Sequence, residues 1–126
     1  MAKLNDKQAK LLTDPNIAIV ATIRPDGTPQ LTPTWVDYDG ENVLINTAEG
    51  RAKPKNLRLD PRVSVLVLDK DDPYNWVSVT GPVEITEEGA ADHINQLSHK
   101  YTGNDYPDKT NRIIVKVRPE RVNPKG

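Results

Sequence analysis

Short runs of branched residues, each stopped by a turn that carries Gly or Pro, limit how this chain can fold more than any other feature. Ile17-Ala18-Ile19-Val20-Ala21-Thr22-Ile23 ends at Arg24-Pro25-Asp26-Gly27, and Thr28–Tyr38 ends at Asp39-Gly40 before Asn42–Thr47. Asp-Gly supplies the backbone freedom of a tight reversal, so these runs predict a three-stranded meander. Val63-Ser64-Val65-Leu66-Val67-Leu68 is almost continuously apolar, as a strand buried on both faces should be. In Trp76–Ile85, Val77, Val79, Val83 and Ile85 share one face, and Gly81-Pro82 marks a bulge or bend that curves a sheet. A last strand spans Arg112–Arg118, with Ile113, Val115 and Val117 inward.

Helical signals are fewer. Residues 5–13 form a short helix that Asn5 caps, with Gln8 at the capping-box position, Leu4 stapled to Ala9, and Leu12 facing a barrel end. Glu87–Tyr101 carries Ala90, Ile94, Leu97 and Tyr101 as an apolar stripe, with Thr86 as its cap and a loop at 102–110 behind it. Six strands and two or three short helices, with little β-α-β alternation, predict a mostly β (α+β) fold. Its form is a six-stranded antiparallel barrel in one domain over residues 1–126.

Only 36% of the 126 residues are hydrophobic and none is Phe, so a shared subunit interface is expected to supplement a lean core. The net charge of −1 gives no global attraction to nucleic acid or membrane. Absence of Cys removes disulfides, thiolate nucleophiles and Cys-ligated metals. His93 and His99 stand six apart on one helix, a spacing for neither a zinc pair nor a nucleophile and base, and both are expected on its surface. No long apolar run or signal-peptide core is evident, so a cytoplasmic location is expected.

Charge is concentrated instead in Thr47-Ala48-Glu49-Gly50-Arg51-Ala52-Lys53-Pro54-Lys55-Asn56-Leu57-Arg58-Leu59-Asp60-Pro61-Arg62-Val63. Five of the 17 basic residues fall within positions 51–62, against the single acid Asp60. A hydroxyl and a glycine lead into a short helix whose first turn is expected to carry Arg51 and Lys53, both exposed. Unpaired N–H groups and the helix dipole add to those cations, which predicts a site for phosphate or another anion.

These residues resemble the split β-barrel flavin and deazaflavin oxidoreductases related to pyridoxamine 5′-phosphate oxidase, of the FMN-binding split-barrel type. Within them, the chain is most similar to the branch that uses the deazaflavin coenzyme F420. The resemblance rests on Asp26-Gly27-Thr28-Pro29, Thr32-Pro33-Thr34-Trp35, Asp39-Gly40, the Thr47 to Val63 stretch and Arg118-Pro119-Glu120-Arg121-Val122. It implies a homodimer with two cofactor sites in grooves formed by both chains. Arg51 and Lys53 would hold the cofactor phosphate beside Gly50, Thr47 would add a hydroxyl, and Asn56 would support the loop or the ribityl chain. Thr32, Pro33, Thr34 and Trp35 would run beside the ring.

F420 ends in a long polycarboxylate tail, to which Lys55, Arg58 and Arg62 would offer charge; FMN ends in one phosphate. The expected activity is hydride transfer from reduced F420 to an electrophilic small molecule such as a tetrapyrrole, quinone or activated alkene. The alternatives are an FMN-dependent oxidase or reductase, or a non-enzymatic F420-, FMN- or haem-binding protein. Tyr74 and Trp76 could line the substrate pocket or cover a barrel end. Tyr101 and Tyr106 flank a loop that is either a lid or a connection, and a Tyr or Lys there is a candidate proton donor.

Overall fold

The computed structural model describes residues 2–124. Its elements run α1 (Asp6–Thr13), β1 (Ala18–Ile23), β2 (Pro29–Thr34), β3 (Asp37–Tyr38), β4 (Val43–Ala48), α2 (Ala52–Leu59), β5 (Arg62–Leu68), β6 (Trp76–Thr86), α3 (Ala90–Thr102), β7 (Arg112–Val117) and β8 (Arg121–Asn123). Hydrogen bonding orders the strands β2-β1-β5-β6-β7-β4-β3, with β8 on β6, and every pair is antiparallel. This is a curled antiparallel split barrel, with eight strands where the sequence pattern predicts six.

The extra strands have identifiable causes. The expected strand over 28–38 breaks after Thr34 because α3 captures the backbone at Val36. Tyr101 Oη accepts the Val36 N–H at 3.1 Å, and Lys100 Nζ donates to the Val36 carbonyl at 2.6 Å. The same lysine donates to the Leu12 carbonyl at 2.7 Å, tying α1 to α3. The predicted meander is therefore wrong: β4 pairs with β7 from Val43↔Val117 to Ala48↔Arg112 and leaves β2 on an edge. Both Asp-Gly reversals form as expected, with Gly27 at φ +88° and Gly40 at φ +97°.

Strand β6 joins the two halves of the barrel. Residues 76–82 pair with β5 and residues 83–86 with β7, so the change of partner falls immediately after Gly81-Pro82. The register is unbroken, which makes this a bend and not a bulge. Arg118 N–H donates to the Pro82 carbonyl and Glu120 N–H to the Thr80 carbonyl, both at 3.0 Å. The crossing brings the Arg118 carbonyl onto the place that a Cβ at Gly81 would occupy. Only glycine fits there.

Val20, Val65, Val67, Val77 and Val79 meet Val43, Ile45, Val115 and Val117 inside the barrel, with Leu11 and Leu12 of α1 and Leu57 of α2. Each fully buried branched side chain contributes about 1.5–3 kcal/mol. Burial along β5 alternates, correcting the expectation of two buried faces: Val63, Val65 and Val67 are buried, whereas Leu66 and Leu68 are half-exposed. Helix α1 forms with the predicted Asn5–Gln8 capping box. Helix α3 begins at Ala90, later than predicted, because Gly89 turns left-handed at φ +75° and Thr86 accepts from Glu88 N–H in the preceding turn.

The expected surface position of His93 is also corrected, while His99 is exposed and sits 2.6 Å from Asp105. His93 is buried where α3 meets β4. Arg112 Nε donates to Asn46 Oδ1 at 2.8 Å, which fixes the amide; its Nδ2 then donates to the Ala90 carbonyl at 2.9 Å and to His93 Nδ1 at 3.0 Å. The His93 Nε2 proton has no partner. Burial lowers the pKa of His93, nearby Asp37 opposes this, and Lys100 and Arg112 reinforce it.

Two outcomes follow from this architecture. Gly81→Ala should cost more than about 2 kcal/mol in urea unfolding, since backbone must shift to admit the methyl group. A neutral substitution would show that the crossing relaxes freely. The second concerns pH. The unfolded chain protonates His93 more readily than the folded one, so its contribution is complete above 6.5 and is lost as pH falls below it. Urea unfolding at about pH 7.5 and about pH 5.5 should show a smaller acid loss in His93→Gln than in the parent. Equal losses would exclude His93 as the source.

Candidate functional site

From β4 the chain turns through Glu49-Gly50 into α2. Gly50 sits at φ +88°, where a side chain would be strained, and Glu49 N–H donates to the Asn111 carbonyl at 2.9 Å. Arg51 is the cap residue of α2, one position before the turn in which the sequence pattern places it, and makes no side-chain cap bond. Lys53 lies in the first turn. Facing them is the inner side of β2. Thr32, Pro33, Thr34, Thr47, Arg51 and Lys53 line a cavity of about 360 Å³ between the two.

The cations here divide into two sets. Arg58 makes two bonds to Glu49 at 2.7 and 2.8 Å, and Arg62 makes two to Asp60 at 2.8 and 2.7 Å. These pairs face solvent and weaken the expectation that both arginines are free for an anionic tail; Lys55 is exposed and, among the described residues, has no such acid. Arg51 and Lys53 border the cavity, and no acid among the described residues pairs with either. Arg51 is exposed as expected, but Lys53 is half-buried. Burial first, then Arg51 and Arg112, pull the Lys53 pKa below its ordinary value. Thr32 Oγ1, on the same cavity wall, is buried without a partner.

Asn56 is buried and donates to Thr22 Oγ1 at 3.1 Å and Gln30 Oε1 at 3.0 Å. It ties α2 to β1 and β2, which is the loop-supporting half of its expected role. Thr47 is buried in β4 beside the cavity.

A second cavity of about 350 Å³ adjoins the first and shares Pro33, Thr34, Asn46 and Arg51 with it. Trp35 forms one wall, stacked on Tyr101 at 5.4 Å and meeting Tyr106 edge-on at 6.0 Å. Ile94 and Leu97 of α3 supply apolar surface. Arg112 enters from β7 with its guanidinium 5.2 Å from the Tyr106 ring centre. Sequence reading treats Arg112 only as the start of a strand. The available signal was parity: Arg112 shares a strand face with Ile114, which a covering helix would bury.

Tyr101 Oη donates to the Asn16 carbonyl at 2.5 Å, and burial pushes its pKa up to about 12. That bond commits the Tyr101 proton to the backbone. The loop after α3 is fastened: Tyr106 N–H donates to Asn95 Oδ1 at 2.9 Å and Ser98 Oγ to the Asn104 carbonyl at 2.7 Å. These bonds anchor the first half of the loop to α3. Tyr74 and Trp76 border a separate hollow beside α1, away from both cavities, and Tyr74 is 91% exposed, so it covers no barrel end within this chain. Among the described residues, no cluster of acids and histidines could hold a metal, and no helix is long and apolar enough to cross a membrane.

Comparison with known proteins fits this geometry. The sequence profile of the family described as pyridoxamine 5′-phosphate oxidase matches residues 4–126. A pyridoxine/pyridoxamine 5′-phosphate oxidase of Aeromonas hydrophila is 38% identical over 78 residues, 58% of this chain and 35% of that enzyme. An F420H(2)-dependent biliverdin reductase of Mycobacterium tuberculosis is 21% identical over 95% of this chain and 87% of its own length. Among solved structures, an F420 reductase superposes with a TM-score of 0.85 at 33% identity, covering 94% of this chain and 98% of the other. Match and topology agree: the chain belongs to the pyridoxamine 5′-phosphate oxidase family, in the branch that includes the F420 reductase.

Proposed function

We propose that this chain is an F420-dependent oxidoreductase that works as a homodimer. The observation that carries the reading is the cavity between β2 and α2: two cations and an orphaned Thr32 hydroxyl converge where no acid among the described residues pairs with them. Buried polar groups without partners are costly, and a phosphate relieves that cost at one stroke. The donor set fits a phosphate: Arg51 offers a planar fork, Lys53 a point charge and Thr32 a hydroxyl proton. Pro33 and Thr34 lead from this cradle toward Trp35, and a flat ring would lie along that stretch of backbone, leaving the second cavity beside it free.

Bound F420 in its reduced form supplies a hydride for an electrophilic carbon of the acceptor. The chain's own work is to grip the anionic end, hold the ring against Pro33–Trp35 and exclude water through Trp35, Ile94 and Leu97. A tetrapyrrole, a quinone or an activated alkene matches that chemistry. The similarity to the F420 reductase supports F420. The Glu49 and Asp60 pairs favour a second reading, an FMN-dependent enzyme of the same fold, because they remove two charges from the tail's path.

The dimer is supported by the outer face of the sheet. Pro33, Ile19 and Leu66 lie side by side across β2, β1 and β5, with Leu31 opposite Ala21. Leu31 is 66% exposed on the edge strand. Such a half-covered apolar face suits a second copy of the chain.

Titration with F420 and with FMN, read by Trp fluorescence, tests the cofactor. Lys53→Ala and Arg51→Ala should each weaken binding by about tenfold or more with the fold intact. Unchanged binding in both would sink the cradle. Lys55→Ala should weaken F420 more than FMN; equal effects would favour FMN. Cofactor binding without reoxidation by any acceptor would mark a non-enzymatic binding protein. Light scattering on a sizing column should report two chains per particle, with Leu31→Glu shifted toward one. A monomeric parent would overturn the dimer.

A further inference from the structure

The second cavity holds a cation that the cradle does not need. Arg112 is buried and, among the described residues, has no ion-pair partner. Its Nε is spent on Asn46 Oδ1 at 2.8 Å, and its guanidinium lies over the Tyr106 ring. Asn46 is itself held through the Ala90 carbonyl and His93 Nδ1, so this polar chain fixes the direction of the guanidinium. The Tyr106 hydroxyl and Asp108 stand near enough to favour its charge, but neither forms an ion pair with it, and the residue lines the cavity whose wall is Trp35 and whose apolar surface is Ile94 and Leu97. A flat apolar slot with one oriented guanidinium that no acid pairs among the described residues suits a planar conjugated molecule that carries a carboxylate.

We propose that Arg112 is the specificity-determining residue for the electron acceptor and binds an acceptor carboxylate as a two-point pair, with Asn46 as its positioning residue. The proposal takes the acceptor side of the reaction proposed above and rests on that reading. The acceptor class narrows accordingly to planar conjugated carboxylic acids. Arg51 borders both cavities, but Lys53 borders only the cradle, which allows the two anion sites to be separated by mutation.

The probes are 2-naphthoate and its uncharged analogue 2-naphthamide, titrated into the full-length protein with energy transfer from Trp35 and Trp76 as the signal. The parent should bind the acid about tenfold more tightly than the amide, the size of a charge-assisted pair. Arg112→Gln should bind both alike while keeping F420 affinity within about twofold, a change too small to include a phosphate contact. Lys53→Ala should lose F420 affinity and keep the preference for the acid. A preference that survives Arg112→Gln, or vanishes in Lys53→Ala, overturns the assignment, as does loss of F420 in Arg112→Gln. Where Arg112→Gln fails to fold, NMR of the parent decides: the Arg112 Nε–H signal should shift with 2-naphthoate and not with 2-naphthamide, and a still signal overturns the proposal. Failure of F420 and FMN to bind the parent would sink the cofactor reading alone, since the naphthoate comparison does not depend on either.

Discussion

Two side chains of α3, the Tyr101 hydroxyl and the Lys100 ammonium, hold the backbone of Val36, and the rest of the site depends on that capture. Without it, residues 29–38 would continue as one strand. With it, the chain leaves β2 at Thr34, turns Trp35 toward α3, and re-enters as the two-residue β3 on the opposite edge. The barrel splits at that point. Thr32 and Thr34 then face a cavity instead of a neighbouring strand, and Trp35 becomes a wall backed by Tyr101. The lysine's half-buried position is sustained by two carbonyls and by Asp37 at 3.8 Å, so its charge is spent on architecture.

Around this opening, cations are sorted by what they oppose. Arg58 and Arg62 have carboxylates within bonding distance and face solvent, where such pairs contribute little to stability. Arg51, Lys53 and Arg112 are gathered along adjoining cavities that no acid among the described residues lines. Burying a lysine beside like charges works against folding: burial first, then Arg51 and Arg112, lower the Lys53 pKa. A protein under selection for stability alone would supply an acid here. The uncompensated arrangement is what an anion-binding site needs before its ligand arrives.

The strand runs and the two Asp-Gly turns made the barrel legible in the sequence, because alternation and turn chemistry are local. The path of the chain after Thr34 was not, since it is decided by Tyr101, some sixty-five positions away. The cradle was legible in outline through Gly50, Arg51 and Lys53. Its selectivity among five basic residues was hidden: Glu49 looks like part of the lead-in turn until folding sets it beside Arg58. Arg112 and His93 were missed for a related reason. Each occupies an unremarkable place on its own element, and the amide of Asn46, on a third element, gives both their roles.

Sharing Arg51 between the two cavities has an energetic consequence. Empty, the groove holds Arg51, Lys53 and Arg112 in mutual repulsion, and a first anion at either end relieves it. Once a phosphate occupies the cradle, its charge offsets that of Arg51 and Lys53, and a carboxylate at Arg112 then meets a less positive field. Binding at the two ends is therefore antagonistic, and by linkage the effect is equal in both directions. The antagonism is bounded by the separation of the charges and by salt. For the reductase proposed above this sign is useful: an acceptor carboxylate held less tightly over a loaded cofactor would leave more readily after reduction. The opposite sign would require an acid between the two cavities, and none among the described residues borders either one.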